Sequence, residues 1–190
     1  MNMRKFLAGA VIGVASAAAG AVPIAYQGVL APSVAVTGTV GGFSWFLDEG
    51  AGVDFWRFSG SAGQTVTFSV DRLNANLDPA LSLYAGTTGA DTSQFVSGAS
   101  WGGLSYIGSL DDERVAFLTP GLGGDPFGSF VLGQTGLYTV VVGGSGSTDA
   151  GEYPYRLTLS VAAPIPEPSM WALLGIGLVG LRFLRRRRTA

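Results

Sequence analysis

The sequence predicts an all-β fold, an antiparallel β-sandwich or jelly roll, for residues 22–161. Residues 65–71 and 153–161 alternate apolar and polar side chains, which is the pattern of strands with one buried and one wet face. Clusters rich in Gly and Ser separate short apolar runs, and no stretch of the domain keeps a helical period. About seven to nine short strands joined by such turns are typical of antiparallel sandwiches.

The candidate strands can be followed along the chain. Residues 138–142 are apolar on both faces, which favours a central strand. Alternation within the strands indicates which side chains enter the core, and we expect these to be buried: Phe68, Leu81, Val140, Leu157 and Leu159. The remaining candidate strands are 34–40, 55–58, 79–84 and 115–118.

Residues 1–21 have the three zones of a secretory signal peptide. Arg4 and Lys5 form a positive region, an apolar run follows over 6–14, and small residues fill 15–21. Ala19-Gly20-Ala21 fits the A-x-A rule for signal peptidase, so we expect cleavage before residue 22 and export across the inner membrane. The alternatives are cleavage after residue 19 and an uncleaved anchor, for which the apolar run is short.

The C-terminal region combines an extended motif, an apolar segment and a basic end. Pro166-Glu167-Pro168 lies in a Pro-rich linker over 162–169, and prolines hold such a stretch extended. The apolar residues 170–181 would form a transmembrane helix of only about 18 Å, against roughly 30 Å for a bilayer core. The basic residues Arg185, Arg186, Arg187 and Arg188 complete this 170–190 anchor and would stay cytoplasmic.

This tail resembles the PEP-CTERM sorting signal of Gram-negative bacteria over residues 165–190. The resemblance implies recognition by an exosortase-type membrane protease, with cleavage near Pro166-Glu167-Pro168 after transient membrane anchoring. It also implies a link to extracellular polysaccharide and biofilm. An ordinary tail anchor is the alternative.

The domain is similar to the pre-peptidase C-terminal type of β-sandwich. The matching stretches are Val53–Phe58, Ala62–Phe68, Leu77–Tyr84 and Thr135–Gly144. That resemblance implies a non-catalytic domain that accompanies secreted enzymes and binds polymers or calcium.

Charge and composition exclude several function classes. Residues 22–164 hold four basic and twelve acidic residues, a net charge of −8, with no Lys, which does not suit nucleic acid or anionic lipid. The whole sequence has no Cys and no His. Thiol nucleophiles, His bases and His/Cys zinc sites are therefore excluded, and carboxylates are the remaining acid–base groups.

Two features are candidates for binding. Asp111 and Asp112, followed by Glu113, form the densest acidic run, and Asp125 lies in a Gly-rich loop downstream. These carboxylates offer the hard oxygens that Ca²⁺ prefers, although the EF-hand spacing is absent. Trp101, in a Gly-rich stretch, is the best candidate for an exposed ring that stacks on sugars. The alternatives are a solvated acidic loop, a carboxylate-pair hydrolase and simple loop packing of the indole.

The sequence as a whole predicts a non-enzymatic exported protein of the cell surface or extracellular matrix, with no nucleic-acid partner. The first alternative is a carbohydrate- or calcium-binding module. A carboxylate-dependent hydrolase is the second.

Overall fold

A computed structural model describes residues 22–46, 52–87, 91–147 and 151–162, without the side chains of Phe46 and Ser93. The signal peptide over 1–21, the Pro166-Glu167-Pro168 motif, the transmembrane helix over 170–181 and the basic tail Arg185–Arg188 lie outside the described residues. Among the described residues, no helix has the length and apolar character needed to cross a bilayer.

The described residues form eleven strands and two short 3-10 turns at Ser44–Phe46 and Thr92–Gln94. The predicted all-β class is confirmed. The strands are β1 Tyr26–Val29, β2 Ala35–Gly41, β3 Asp54–Gly60, β4 Thr65–Arg72, β5 Leu77–Ala85, β6 Ser105–Leu110, β7 Arg114–Val115, β8 Gly124–Asp125, β9 Phe127–Val131, β10 Gly136–Ser147 and β11 Glu152–Val161.

Two main sheets pack face to face, and a small ribbon joins them at one end. The five-stranded sheet has the order β1-β3-β10-β5-β6, and the four-stranded sheet has the order β2-β11-β4-β9. Strands β7 and β8 pair as the ribbon, so the strand expected over 115–118 is only two residues long. All pairings are antiparallel except that of β1 with β3. The run 138–142 lies in β10, at the centre of its sheet, as predicted.

The core fills the space between the two sheets. Each of the five side chains predicted to be buried is at most 1% exposed. Phe58 stacks on Tyr138 at a centroid distance of 5.2 Å and meets Phe68 of the other sheet edge-on at 5.7 Å. Rings of this size bury large apolar areas, so they supply much of the driving force for a domain without disulfides.

Strand β10 runs the length of the sandwich and defines its two ends. Its first residue, Gly136, pairs with Gly60 at what we call the turn end. Its last residue, Ser147, pairs with Leu77 at the opposite end, which we call the acidic end. Strand β11 finishes at the turn end, where the amide of Ala162 donates to the carbonyl of Thr65 at 3.1 Å. The chain therefore leaves the domain, toward the Pro-Glu-Pro motif, at the turn end.

Candidate functional site

Three carboxylates converge at the acidic end. Asp78 lies near the start of β5, whereas Asp111 and Asp112 directly follow β6. These strands pair antiparallel with Leu81 opposite Leu110, which brings the start of one beside the end of the other. As a result, one carboxylate oxygen of each Asp lies within 4.8 Å of the others. We call these three residues the acidic cluster.

Neighbouring loops fix the acidic cluster. Ser145 Oγ on β10 lies 3.1 Å from Asp111 Oδ1, and the amide of Gly124 donates to Asp112 Oδ1. Gly123 has a positive φ of 55°, and a Cβ there would lie 2.5 Å from an oxygen of both Asp78 and Asp112. Only glycine therefore lets the backbone approach these carboxylates so closely.

Burial and neighbouring charges make two members of the acidic cluster, Asp78 and Asp111, costly to ionise. Burial, and then the charges of Asp112 and Asp111, raise the pKa of Asp78 to about 6, although Arg72 opposes the rise. Burial also raises the pKa of Asp111, with further contributions from Asp112 and Glu113. A divalent cation placed among the three would relieve this repulsion, because each oxygen would gain an opposite charge.

Asp125 does not belong to the acidic cluster, contrary to the grouping predicted from the sequence. Its carboxylate is fully buried and accepts a hydrogen bond from Arg72 Nε at 2.6 Å. Its other oxygen accepts from the amide of Phe117 at 2.8 Å. Arg72 also donates to the carbonyls of Leu122 and Gly124. Asp125 is therefore half of an internal ion pair that holds the loop, and Asp78 takes the place predicted for it beside Asp111 and Asp112.

Trp101 is buried rather than exposed, so the prediction of a stacking platform is wrong. Only 5% of the residue is accessible. Its ring lies 5.4 Å from Phe95 and 6.1 Å from both Phe55 and Tyr84. These rings belong to a second apolar cluster on the outer face of the five-stranded sheet, covered by the segment that contains Phe95 and Trp101. The indole is a packing residue in this arrangement.

A groove of about 430 Å³ lies at the turn end, lined by residues 59–61, 64 and 135–137. Its polar lining consists of hydroxyl, amide and backbone groups, without a carboxylate. Part of this lining is already occupied, since Thr135 Oγ1 accepts from the amide of Ala62 at 3.0 Å and Gln64 Oε1 from that of Ser61 at 3.1 Å. The groove therefore lacks the carboxylate pair that glycoside hydrolysis requires.

Comparison with protein families identifies the tail. Residues 164–188 match the family described as the PEP-CTERM protein-sorting motif. The chain thus carries the sorting motif that the sequence predicted, and this motif implies export and processing by exosortase, a membrane protease. No curated protein matches the sequence.

Solved structures resemble the sandwich at low sequence identity. CorA, a surface-associated copper-binding protein of Methylomicrobium album BG8, is 14% identical with a TM-score of 0.53; the match covers 73% of this chain and 99% of that one. The pre-peptidase C-terminal domain of a Bacillus anthracis collagenase is 13% identical, with a TM-score of 0.42 and coverage of 72% and 98%. The similarity to that type of domain, expected from the sequence, is thus found. At 14% identity, the likeness to CorA establishes the fold alone.

Proposed function

We propose that this chain is a non-enzymatic surface module, exported and briefly anchored by its tail, that becomes part of the extracellular matrix with its polysaccharide. The match of residues 164–188 to the sorting motif carries this proposal. The β-sandwich ends at Val161, only a few residues before the motif begins, so the tail serves this domain directly. The absence of His and Cys from the sequence supports a role without catalysis by a His base or a thiol nucleophile.

The geometry of the domain supports a presentation role. The chain leaves the sandwich at the turn end, whereas the acidic cluster lies at the acidic end. The twelve residues of β10 separate these ends by about 35 Å, at roughly 3.3 Å per residue. While the tail holds the protein at the membrane, the turn end is the near end. The acidic cluster then faces away from the membrane.

Processing of the tail tests the proposal. In a host that contains an exosortase, we expect the mature protein to lose Trp171–Ala190, as measured by mass spectrometry of its termini. A variant with both Pro166→Ala and Pro168→Ala should keep its tail, because the extended recognition segment is removed. A mature wild-type protein that retains Arg185–Arg188 would contradict processing and leave an ordinary tail anchor.

Calcium binding at the acidic cluster is the second candidate function. It is supported by the convergence of three carboxylates within 4.8 Å, because Ca²⁺ takes six to eight oxygen ligands in flexible geometry. Asp78, Asp111 and Asp112 would supply one side of such a shell. Equilibrium dialysis of the full chain with Ca²⁺ tests this function. Bound Ca²⁺ should disappear when Asp78→Asn and Asp112→Asn are combined, and retention by that variant would exclude the cluster.

A further inference from the structure

Strand β9 forms an open edge of the four-stranded sheet. It pairs with β4 on one side, and no strand of the described residues lies on its other side. The opposite edge, β2, differs because two of its outward amides, near the end of the strand, are occupied. Thr39 N donates to Asp54 Oδ2 at 3.2 Å, and Gly41 N donates to the carbonyl of Gly52 at 2.8 Å.

The register shows which backbone groups of β9 point outward. Just before the strand, the carbonyl of Pro126 accepts from Val70 N at 3.0 Å; just after it, Leu132 N donates to the carbonyl of Gln64 at 2.9 Å. Bonded residues alternate along an antiparallel pair, so Gly128 and Phe130 also bond to β4. Phe127, Ser129 and Val131 therefore direct their N–H and C=O groups away from the sheet.

These outward groups are almost free within the described part of the chain. The amide of Phe127 has a long contact of 3.3 Å to Glu113 Oε2. No side chain or loop among the described residues bonds to the amides of Ser129 and Val131. Sheet edges of soluble proteins are usually protected by charge, proline or a cover. Strand β9 carries no charged residue in a domain of net charge −8, and Phe127 and Val131 are 46% and 66% exposed.

We propose that β9 pairs antiparallel with the same strand of a second copy of this chain. A two-fold axis at Ser129 would place it opposite Ser129 of the partner copy, and Phe127 opposite Val131 of the partner copy. Both ends of the pairing then bring an aromatic side chain against a β-branched one, a favourable cross-strand pair. The three outward residues would exchange roughly six backbone hydrogen bonds, because all of their pairs are of the hydrogen-bonded kind.

Self-complementarity is what selects a second copy as the occupant. The strand reads Phe-Gly-Ser-Phe-Val, and its outward positions are aromatic, small and β-branched in turn. When the same strand runs in the opposite direction beside it, each aromatic residue faces a β-branched one and the small residues face each other. The five residues of the strand are uncharged, and at Phe127 the nearby carboxylate of Glu113 is accompanied by Arg114, which lies 5.7 Å from the Phe127 ring, so like charges are not set directly opposite each other. Such pairing would join two four-stranded sheets into one. It would also send the two C-terminal exits to opposite ends of the joined sheet, which suits protein released from its anchor.

Cysteine cross-linking tests this pairing, since the native chain has no cysteine. Residues opposite each other in a hydrogen-bonded pair have Cα atoms about 5.5 Å apart, within disulfide range. Under mild oxidation of the full chain in detergent micelles, Ser129→Cys should give a covalent dimer on a non-reducing gel. The matched control is Ser160→Cys, an exposed serine on β11 of the same sheet, one strand beyond β4, which should stay monomeric.

A second pair of variants separates edge pairing from unspecific association. Adding Val131→Lys to Ser129→Cys should abolish the dimer, because it places a charge in the contact at a solvent-exposed position. Adding Leu137→Lys instead should leave the dimer unchanged, since Leu137 is comparably exposed but lies on β10. An equal dimer yield from Ser129→Cys and Ser160→Cys would overturn the proposal, as would a dimer that survives Val131→Lys. Circular dichroism should show the same strand content in each variant.

Discussion

Asp125 and the acidic cluster lie side by side at the acidic end, and they differ in how far a basic side chain neutralises their charge. Asp125 is fully buried and has an equally buried guanidinium, that of Arg72, at 2.6 Å. Asp78 is partly exposed, and Asp111 and Asp112 are exposed. Among the described residues, their only basic partner is Arg72, whose Nη2 lies 3.5 Å from Asp78 Oδ1. Arg72 therefore neutralises the charge of Asp125 directly, whereas it makes only one long contact with the acidic cluster, at Asp78.

The difference follows from what burial costs. An ion removed from water needs a partner charge and hydrogen bonds, whereas a carboxylate that keeps water can tolerate a like neighbour. The other three arginines of the domain also lie away from Asp111 and Asp112. Arg114 and Arg156 both bind Asp71, on the four-stranded sheet, and Arg57 lies over the ring of Tyr26. The four arginines of the domain therefore leave Asp111 and Asp112 without a basic partner among the described residues.

The largest expected effect comes from breaking the buried pair. Arg72→Met should lower the free energy of unfolding by about 3–5 kcal/mol, because Asp125 would remain buried and unpaired. Adding Asp125→Leu should recover part of this loss, since no uncompensated charge then remains. Denaturant titration of the full chain in detergent measures both. Glu152→Gln, at an exposed acid, is the control and should change stability by under about 0.5 kcal/mol. A loss below about 1 kcal/mol for Arg72→Met would contradict the importance of the pair.

The sandwich could be predicted from the sequence because each strand is specified by the alternation of residues that are neighbours in the chain. Alternation over 65–71 and 153–161 specifies strands, and the same alternation identifies the inward residues, such as Phe68 and Leu157. The acidic cluster was only half predictable, because Asp78 is distant in sequence and reaches Asp111 through the register of β5 with β6. A polar residue just before the apolar run 79–84 was its only local sign.

Trp101 shows the limit of composition as a guide to exposure. Its glycine-rich neighbours suggested a protruding loop, yet the segment folds across the outer face of the five-stranded sheet. The residues that receive it, Phe55 and Tyr84, look like ordinary alternating strand residues in the sequence. A sheet that is apolar on both faces, as at 138–142, is the signal that a further layer must cover it.

The second-largest expected effect concerns the acidic cluster, where a bound cation would neutralise the carboxylates as Arg72 neutralises Asp125. Binding to the folded state alone stabilises it by about 2.7 kcal/mol at a hundredfold excess of Ca²⁺ over Kd. We expect the melting temperature of the full chain to rise by several degrees in millimolar Ca²⁺. Mg²⁺ should do less, because it demands octahedral geometry and dehydrates reluctantly. The combined variant with Asp78→Asn and Asp112→Asn should lose the rise, whereas Glu152→Gln should keep it. An unchanged melting temperature in wild type would leave the cluster a solvated surface.

The smallest expected effect is the cost of ionising Asp78, which comes from its burial and then from the charges of Asp112 and Asp111, and which is measured with chelator present. Because the pKa of Asp78 is raised to about 6, the folded state holds its proton more tightly than the unfolded state does. Wild type should therefore lose stability as the pH rises from about 4 through 6, relative to Asp78→Asn, which cannot ionise. The variant's advantage should be about 1 kcal/mol or less at pH 7, because the carboxylate keeps contact with water. It should vanish below pH 4, where the wild-type group is protonated in both states. Parallel pH profiles for the two proteins would show that neither burial nor the neighbouring carboxylates raise the pKa of Asp78 appreciably, which would contradict the contrast with the Arg72–Asp125 pair.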